Sequence, residues 1–185
     1  LGMFCLLHLF LSGMGMYWLA EHWTGNRLAA AVAGVAFTFN GFMLSCLIWP
    51  HYMVSMSWMP LVVLTVSKAW RAGGRMVIWA ALAGAMQMLG GPPEVILATW
   101  GLLGGLWVGQ LVFEKPFQLA MGSRFFLVIA LVTGLCAAQI FPFLEFLVHS
   151  QRGSSGGSSD WSMPGTGWAN FLVPIFFMER TSAGV

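Results

Sequence analysis

Long apolar runs dominate this sequence and restrict its fold more than any other feature. Six such runs occupy residues 1–20, 28–49, 53–70, 76–91, 93–113 and 125–149. A membrane-spanning helix needs about 20 mostly apolar residues, and its backbone groups must be paired inside the lipid. The runs are continuous rather than alternating, which argues against the strands of a membrane barrel. We therefore expect an all-α, polytopic transmembrane helical bundle with about six membrane-spanning helices plus a partial one.

Composition excludes several other classes of protein. The chain is 58% hydrophobic and only 8% charged, whereas soluble domains carry about 25% charged residues. The net charge of +2 is small and scattered, so we expect no nucleic acid partner. Cys5, Cys46 and Cys136 lie in apolar runs. The simplest interpretation is that each is a small, buried apolar side chain. No metal-ligand spacing occurs, so we expect no metal and no cofactor, although a divalent cation stays open.

The basic residues predict an orientation. If the loop 68–75 is cytoplasmic, alternating crossings place most Lys and Arg residues inside, as membrane proteins prefer. The domains expected are a helical bundle over 1–149, an extracytoplasmic loop over 150–167 and the start of a further apolar segment over 168–185. We also expect the chain to be an internal piece of a longer protein of the cytoplasmic membrane.

Ionisable side chains gather at the ends and loops that this orientation places outside. Such groups are costly at membrane depth and usually face a cavity or a partner. The candidates are His51, Glu94, Glu145, His149, Arg152 and Asp160. His51 follows Trp-Pro in a predicted tight turn, and a purely structural role stays open for it. Asp160 lies in a Ser/Gly-rich loop, where a solvated carboxylate is the alternative.

Glu94 directly follows Pro92 and Pro93, a pair that predicts the start of a helix. A carboxylate in a first helical turn can simply stabilise the helix dipole. It can also face an outer cavity, where it would accept a sugar hydroxyl or act as a general base. The residues alone leave both interpretations open.

Glu145, His149 and Arg152 are spaced so that one face of a continuous helix would carry all three. They form either an interfacial ladder of ion pairs that closes the helix or a site in which Arg152 grips a phosphate. Pro142 in the same run predicts a kink.

Four segments share their order and spacing with one bacterial family. The matching residues are Phe39, Asn40, Gly41, Phe42, Trp58 and Pro60, then Gly91, Pro93 and Glu94, then Gln139, Pro142, Glu145, Ser150 and Arg152, and finally Pro164 and Pro174. In these segments, which cover most of the chain, the sequence resembles the YfhO-type membrane proteins. That family is similar to the GT-C type of polyprenyl-phosphate-sugar glycosyltransferases, which are multi-pass helical enzymes.

The resemblance implies a glycosyltransferase-like protein of the bacterial inner membrane. It would take a sugar from a polyprenyl-phosphate donor and place it on a cell-envelope acceptor outside the cytoplasm. Glu94 and Glu145 would then be catalytic, orienting sugar hydroxyls or serving as a general base. Substrate binding would fall to His51, His149, Arg152 and Asp160. A further catalytic carboxylate, usual in the first large outer loop of such enzymes, is expected upstream of Leu1.

Two other functions stay open. Broken helices at Asn40-Gly41 and at Pro142 would suit a transporter or flippase of lipid-linked or small solutes. A non-catalytic scaffold subunit of a membrane complex is the third possibility.

Overall fold

The computed structural model describes residues 2–113 and 119–149, and these ranges are helical apart from short turns. The helices are α1 (Gly2–Thr24), α2 (Arg27–Thr38), α3 (Gly41–Ser45), α4 (Pro50–Ala72), α5 (Arg75–Gly90), α6 (Pro93–Phe113), α7 (Leu119–Leu135) and α8 (Ala137–His149). No strand occurs in either described range, and the all-α fold class is therefore confirmed.

The chain divides into two compact units, Leu1–Phe143 and Leu144–Val185. Residues 144–149 are the described part of the second unit. The loop predicted over 150–167 and the apolar segment predicted over 168–185 lie outside the described residues.

A tight turn joins α1 to α2. Gly25 has a φ of +65°, a left-handed conformation that glycine adopts without strain. Asn26 then caps α2, because its side-chain oxygen accepts hydrogen bonds from the backbone N–H groups of Leu28 at 2.9 Å and Ala29 at 3.2 Å. The two helices leave this turn side by side and pack against each other.

The apolar run predicted as one helix over 28–49 is divided into α2 and α3. Asn40 causes the division, because its side chain bonds both helix ends. Its Nδ2 donates to the Phe37 carbonyl at 2.7 Å, while its Oδ1 accepts from the Met43 N–H at 2.8 Å. An amide that satisfies a C-terminal carbonyl and an N-terminal N–H stabilises the break.

The turn predicted around His51 is helical instead. The following helix was expected to begin at residue 53, but α4 begins at Pro50 with Trp49 as its N-cap residue. Proline is favoured at the first helical position because its fixed φ suits the helix and its missing N–H would be unpaired anyway. His51 therefore lies in the first turn of α4.

α4 is the central helix of the first unit, and it packs against α1, α5, α6 and α7. Its buried apolar side chains supply much of the core, including Val62, Val66 and Trp70. Pro60 lies inside the helix and is buried against α1, near Gly15. This central position fixes how the ends of the neighbouring helices are arranged.

One end of the first unit collects basic side chains. His22 is close enough to Lys68 and Arg71 to be affected by their charges, so the end of α1 adjoins the end of α4. Arg124 of α7 donates to the carbonyl oxygens of Trp70 and Arg71. We call this region the basic end. Its basic residues are His22, Arg27, Lys68, Arg71, Arg75 and Arg124.

The opposite end is formed by the turns that contain Trp49 and Gly91. The end of α5 contacts the start of α4, where Gly90 packs on Val54 and Gly91 on Ser55. The start of α1 reaches the same region, because Cys5 packs against a buried cluster of Met43, Cys46 and Met53. We call this region the Trp49 end.

The helix predicted over 125–149 is bent, and the bend is not at the predicted kink. α7 and α8 meet at 78° across Cys136, whereas Pro142 lies inside α8. Cys136 is fully buried, and its thiol donates to the Ala85 carbonyl of α5 at 3.7 Å. This contact with α5 holds the chain at Cys136, six residues before the proline.

Two stretches are long and apolar enough to cross a membrane, Gly2–Thr24 and Arg27–Ser45. The bent pair α7 and α8 adds a third if the two helices form one broken span, while α5 is apolar but shorter. By length and apolarity, the described residues thus support two or three of the six predicted crossings. The chain is compatible with a membrane protein.

Candidate functional site

The structure places two predicted site residues at the Trp49 end. His51 lies in the first turn of α4, and Glu94 in the first turn of α6; both side chains are exposed. α6 begins two residues after Gly91, which packs on Ser55 of α4. The starts of α4 and α6 are therefore neighbours, although no hydrogen bond joins His51 to Glu94.

Glu145 and His149 lie on α8 and belong to the second unit. The imidazole Nδ1 of His149 is 2.9 Å from the backbone carbonyl oxygen of Glu145, to which it donates. The described hydrogen-bond partner of His149 Nδ1 is thus the Glu145 backbone and not its carboxylate. Arg152 and Asp160 lie outside the described residues, and their predicted roles stay predictions.

An open pocket of about 540 Å³ lies at the Trp49 end, between α3 and the start of α4. Its lining consists of Phe42, Ser45, Cys46, Trp49, His51 and Tyr52. We call it the Trp49 pocket. Of the predicted site residues that the structure describes, it includes His51 alone.

Aromatic rings form one continuous wall of the Trp49 pocket. The His51 ring meets the Trp49 ring edge-on, with centroids 6.1 Å apart, and lies 4.8 Å from the Tyr52 ring. Rings at these separations support one another in tilted and T-shaped pairs. The Trp49 side chain is 61% exposed, so most of its surface is accessible to a ligand.

The polar groups of the pocket are few and uncharged. The Ser45 hydroxyl donates to the Phe42 carbonyl at 2.7 Å, so its oxygen keeps lone pairs for a further donor. His51 adds two ring nitrogens, and neither bonds another described residue. Among the described residues that line the pocket there is no Asp, Glu, Lys or Arg.

A second polar feature is buried beneath the turn that leads to Glu94. Gln87 of α5, Ser55 of α4 and Thr99 of α6 are all fully buried. The Gln87 amide donates to the Ser55 carbonyl at 3.2 Å and to the Thr99 hydroxyl at 2.8 Å. The Gln87 Oε1 and Ser55 Oγ atoms have no partner among the described residues. This Gln87 cluster joins three helices directly behind the candidate carboxylate.

No three His, Cys, Asp or Glu side chains in the described ranges lie close enough together to hold a metal ion. The question of a divalent cation therefore stays where the sequence left it.

An apolar groove of about 460 Å³ runs between α1 and α2. The two helices touch closely where Gly13 meets Gly34, and a Cβ on Gly34 would lie 2.8 Å from the Gly13 carbonyl oxygen. The Ser12 and Thr38 hydroxyls meet at 3.3 Å in the same contact. Beside this contact the groove is lined by Leu6, Phe10 and Phe39, a surface suited to a hydrocarbon chain.

Comparison of the chain with protein-family models, with curated proteins and with solved structures finds no match. The resemblance to the YfhO-type proteins therefore enters the functional argument as a proposal.

Sequence reasoning missed most of the Trp49 pocket and the whole Gln87 cluster. Phe42 and Ser45 lie inside one apolar run and Tyr52 just before the next, and only the break between α2 and α4 brings them together. Gln87 did carry a signal, since an amide inside an apolar run needs a buried partner. The identity of that partner depends on the packing of α4, α5 and α6.

Proposed function

We propose that this chain is part of an integral membrane glycosyltransferase of the GT-C type, in the YfhO-type family. It would transfer a sugar from a polyprenyl-phosphate donor to a cell-envelope acceptor. The observation that carries the proposal is the Trp49 pocket, an uncharged aromatic site at the end of the bundle opposite the basic residues. Because Lys and Arg collect on the cytoplasmic side of membrane proteins, the pocket would open on the outer side of the bacterial inner membrane.

The proposal includes about six crossings, more than helix length and apolarity alone support. α4 is 23 residues long, and its polar side chains Ser55, Ser57 and Ser67 are buried against other helices. Their polarity lowers the average hydropathy of α4 without facing lipid. α6 is 21 residues long, which also suits a span. A lipid-facing role is consistent with its exposed Leu97, Leu102 and Val108.

The candidate residues would have separate roles in catalysis and substrate binding. Glu94 stands at an N-terminal helix end, where it can act as a general base or orient a sugar hydroxyl. His51 in the Trp49 pocket would bind the sugar. Glu145 would also be catalytic, orienting a sugar hydroxyl or serving as a general base. Further substrate contacts are assigned to His149, Arg152 and Asp160, with Arg152 steadying the phosphate as charge develops on the leaving oxygen.

The groove between α1 and α2 supports a lipid partner. Its lining offers apolar surface along two stretches, Gly2–Thr24 and Arg27–Ser45, that are long enough to cross the membrane. A membrane lipid, or the hydrocarbon tail of a polyprenyl donor, would fit this surface.

The test uses the full-length protein in proteoliposomes with a polyprenyl-phosphate-linked sugar. Transfer of the sugar to an acceptor is measured for the natural protein, for Glu94→Gln and for Glu21→Gln. Glu21 is a matched control because it pairs with Arg27 at 3.2 Å at the basic end. We expect Glu94→Gln to lower the rate by about 10²-fold or more, while Glu21→Gln stays near the natural rate.

The same experiment separates the alternatives. Movement of the donor across the bilayer without transfer would favour a transporter or flippase. Neither movement nor transfer, together with unchanged assembly of both variants, would favour a scaffold subunit. Either result would overturn the proposed reaction.

A further inference from the structure

The size and the walls of the Trp49 pocket restrict its ligand. Small-molecule sites usually have volumes of about 300–1,000 Å³ and aromatic walls with a few polar groups, and this pocket has about 540 Å³. The exposed Trp49 ring presents a flat face with a negative quadrupole, which attracts the weakly positive hydrogens of C–H groups. A ligand with one C–H face and polar edges would match this wall.

The charges of the lining restrict the ligand further. A phosphate is normally bound by Arg, Lys or a helix N-terminus, and no Arg or Lys is found among the described lining residues. α4 does begin here, but Trp49 caps it without a side-chain hydrogen bond, and Pro50 removes one free N–H group. A quaternary ammonium would be attracted to the faces of the aromatic rings. However, no described carboxylate lines the pocket to balance its charge.

We propose that the Trp49 pocket binds the pyranose ring of a neutral sugar and leaves the phosphate of the donor outside. The ring stacks its C–H face on Trp49. Its hydroxyls donate to the Ser45 oxygen and exchange hydrogen bonds with the His51 nitrogens. This inference rests on the proposed function, because it assigns the sugar part of that substrate to one pocket.

Saturation-transfer NMR on the full-length protein in nanodiscs tests the assignment with defined probes. The probes are methyl β-D-glucopyranoside, glucose 1-phosphate and choline. We expect the two sugars to bind within about twofold of each other, since the pocket does not contact the phosphate. We expect choline to bind at least tenfold more weakly than either sugar.

Two variants of Trp49 and one control variant test the role of the tryptophan. Trp49→Ala is expected to weaken sugar binding by about tenfold, and Trp49→Phe by less, because a ring face remains. Trp23→Ala is the matched control, since Trp23 is 54% exposed but lies at the basic end. Gel filtration and circular dichroism establish that all variants are folded, as expected for exposed side chains.

Several results would overturn the inference. One is no sugar binding by the natural protein, and another is binding that Trp49→Ala leaves unchanged. The others are tighter binding of choline than of the sugars, or an affinity for glucose 1-phosphate that is tenfold or more above that for the sugar without phosphate. Sugar transfer is measured separately, so the two proposals fail separately. Transfer that is insensitive to Trp49→Ala removes the pocket assignment alone, whereas binding as expected without any transfer removes the proposed reaction alone.

Discussion

The amide of Gln87 donates to the hydroxyl of Thr99 at 2.8 Å, and both side chains are fully buried. The hydroxyl in turn donates to the Val95 carbonyl, one residue beyond Glu94, at 2.8 Å. A chain of hydrogen bonds thus leads from α5 into the first turns of α6. It ties the position of the candidate carboxylate to the packing of the bundle.

Replacing Gln87 with Ala should destabilise the fold. The change removes hydrogen bonds to Ser55 and Thr99 and leaves a cavity, for a loss of about 1–3 kcal/mol. Gln139→Ala is the control, because Gln139 is exposed on α8 and should cost less than about 0.5 kcal/mol. Denaturant unfolding in detergent, followed by circular dichroism, measures both. Equal stability of the two variants would contradict a structural role for the Gln87 cluster.

Gly91→Ala should also destabilise the protein, and for a steric reason. Gly91 has a φ of −124°, which any residue adopts, but an added Cβ would collide with the side chain of Ser55. We expect a loss of about 1–3 kcal/mol in unfolding free energy. Adding Ser55→Gly should restore part of it, because that change removes the colliding atoms.

The control for this prediction is Gly101→Ala, where the Cβ would meet open space. Alanine is the better helix former, so Gly101→Ala should be neutral or stabilising by up to about 1 kcal/mol. If Gly91→Ala behaves in the same way as Gly101→Ala, then the close contact between α4 and the α5–α6 turn is wrong.

Arg124→Gln should loosen the basic end. The Arg124 guanidinium donates to the carbonyl oxygens of Arg71 at 2.7 Å and Trp70 at 3.3 Å, and so satisfies the last turn of α4. Its removal should lower the unfolding free energy by about 1.5–3 kcal/mol. Arg75→Gln, at an exposed position of the same end, should change it far less. Thermal unfolding compares the two variants. A smaller loss of stability for Arg124→Gln than for Arg75→Gln would argue against a capping role of Arg124 at the end of α4.

The helical class could be predicted from the sequence because apolar runs longer than 15 residues leave few alternatives to helices. Where those helices break was harder to predict. Asn40-Gly41 was visible as an interruption, and Asn40 indeed caps the break. The bend at Cys136 was not visible, because a contact with Ala85 of α5 sets it. Pro142 carried the stronger local signal, but local signals do not report tertiary contacts.

The candidate site was predictable only where it depends on local chemistry. Pro92 and Pro93 correctly indicated that Glu94 stands at a helix start. Pro50 carried the same signal for α4, yet His51 was expected in a turn. The aromatic wall around His51 could not be predicted, because Phe42 and Tyr52 line one pocket only through the placement of α3 beside the start of α4.

We propose that the Trp49 end faces out of the cell and that the basic end faces the cytoplasm. Single cysteines at Ile48 and at Arg75, both exposed, test it in a variant without Cys5, Cys46 and Cys136. Intact cells are treated with a membrane-impermeant maleimide. We expect Ile48→Cys to be labelled at once and Arg75→Cys to be labelled only after the membrane is permeabilised. Labelling of Arg75→Cys alone in intact cells would contradict it.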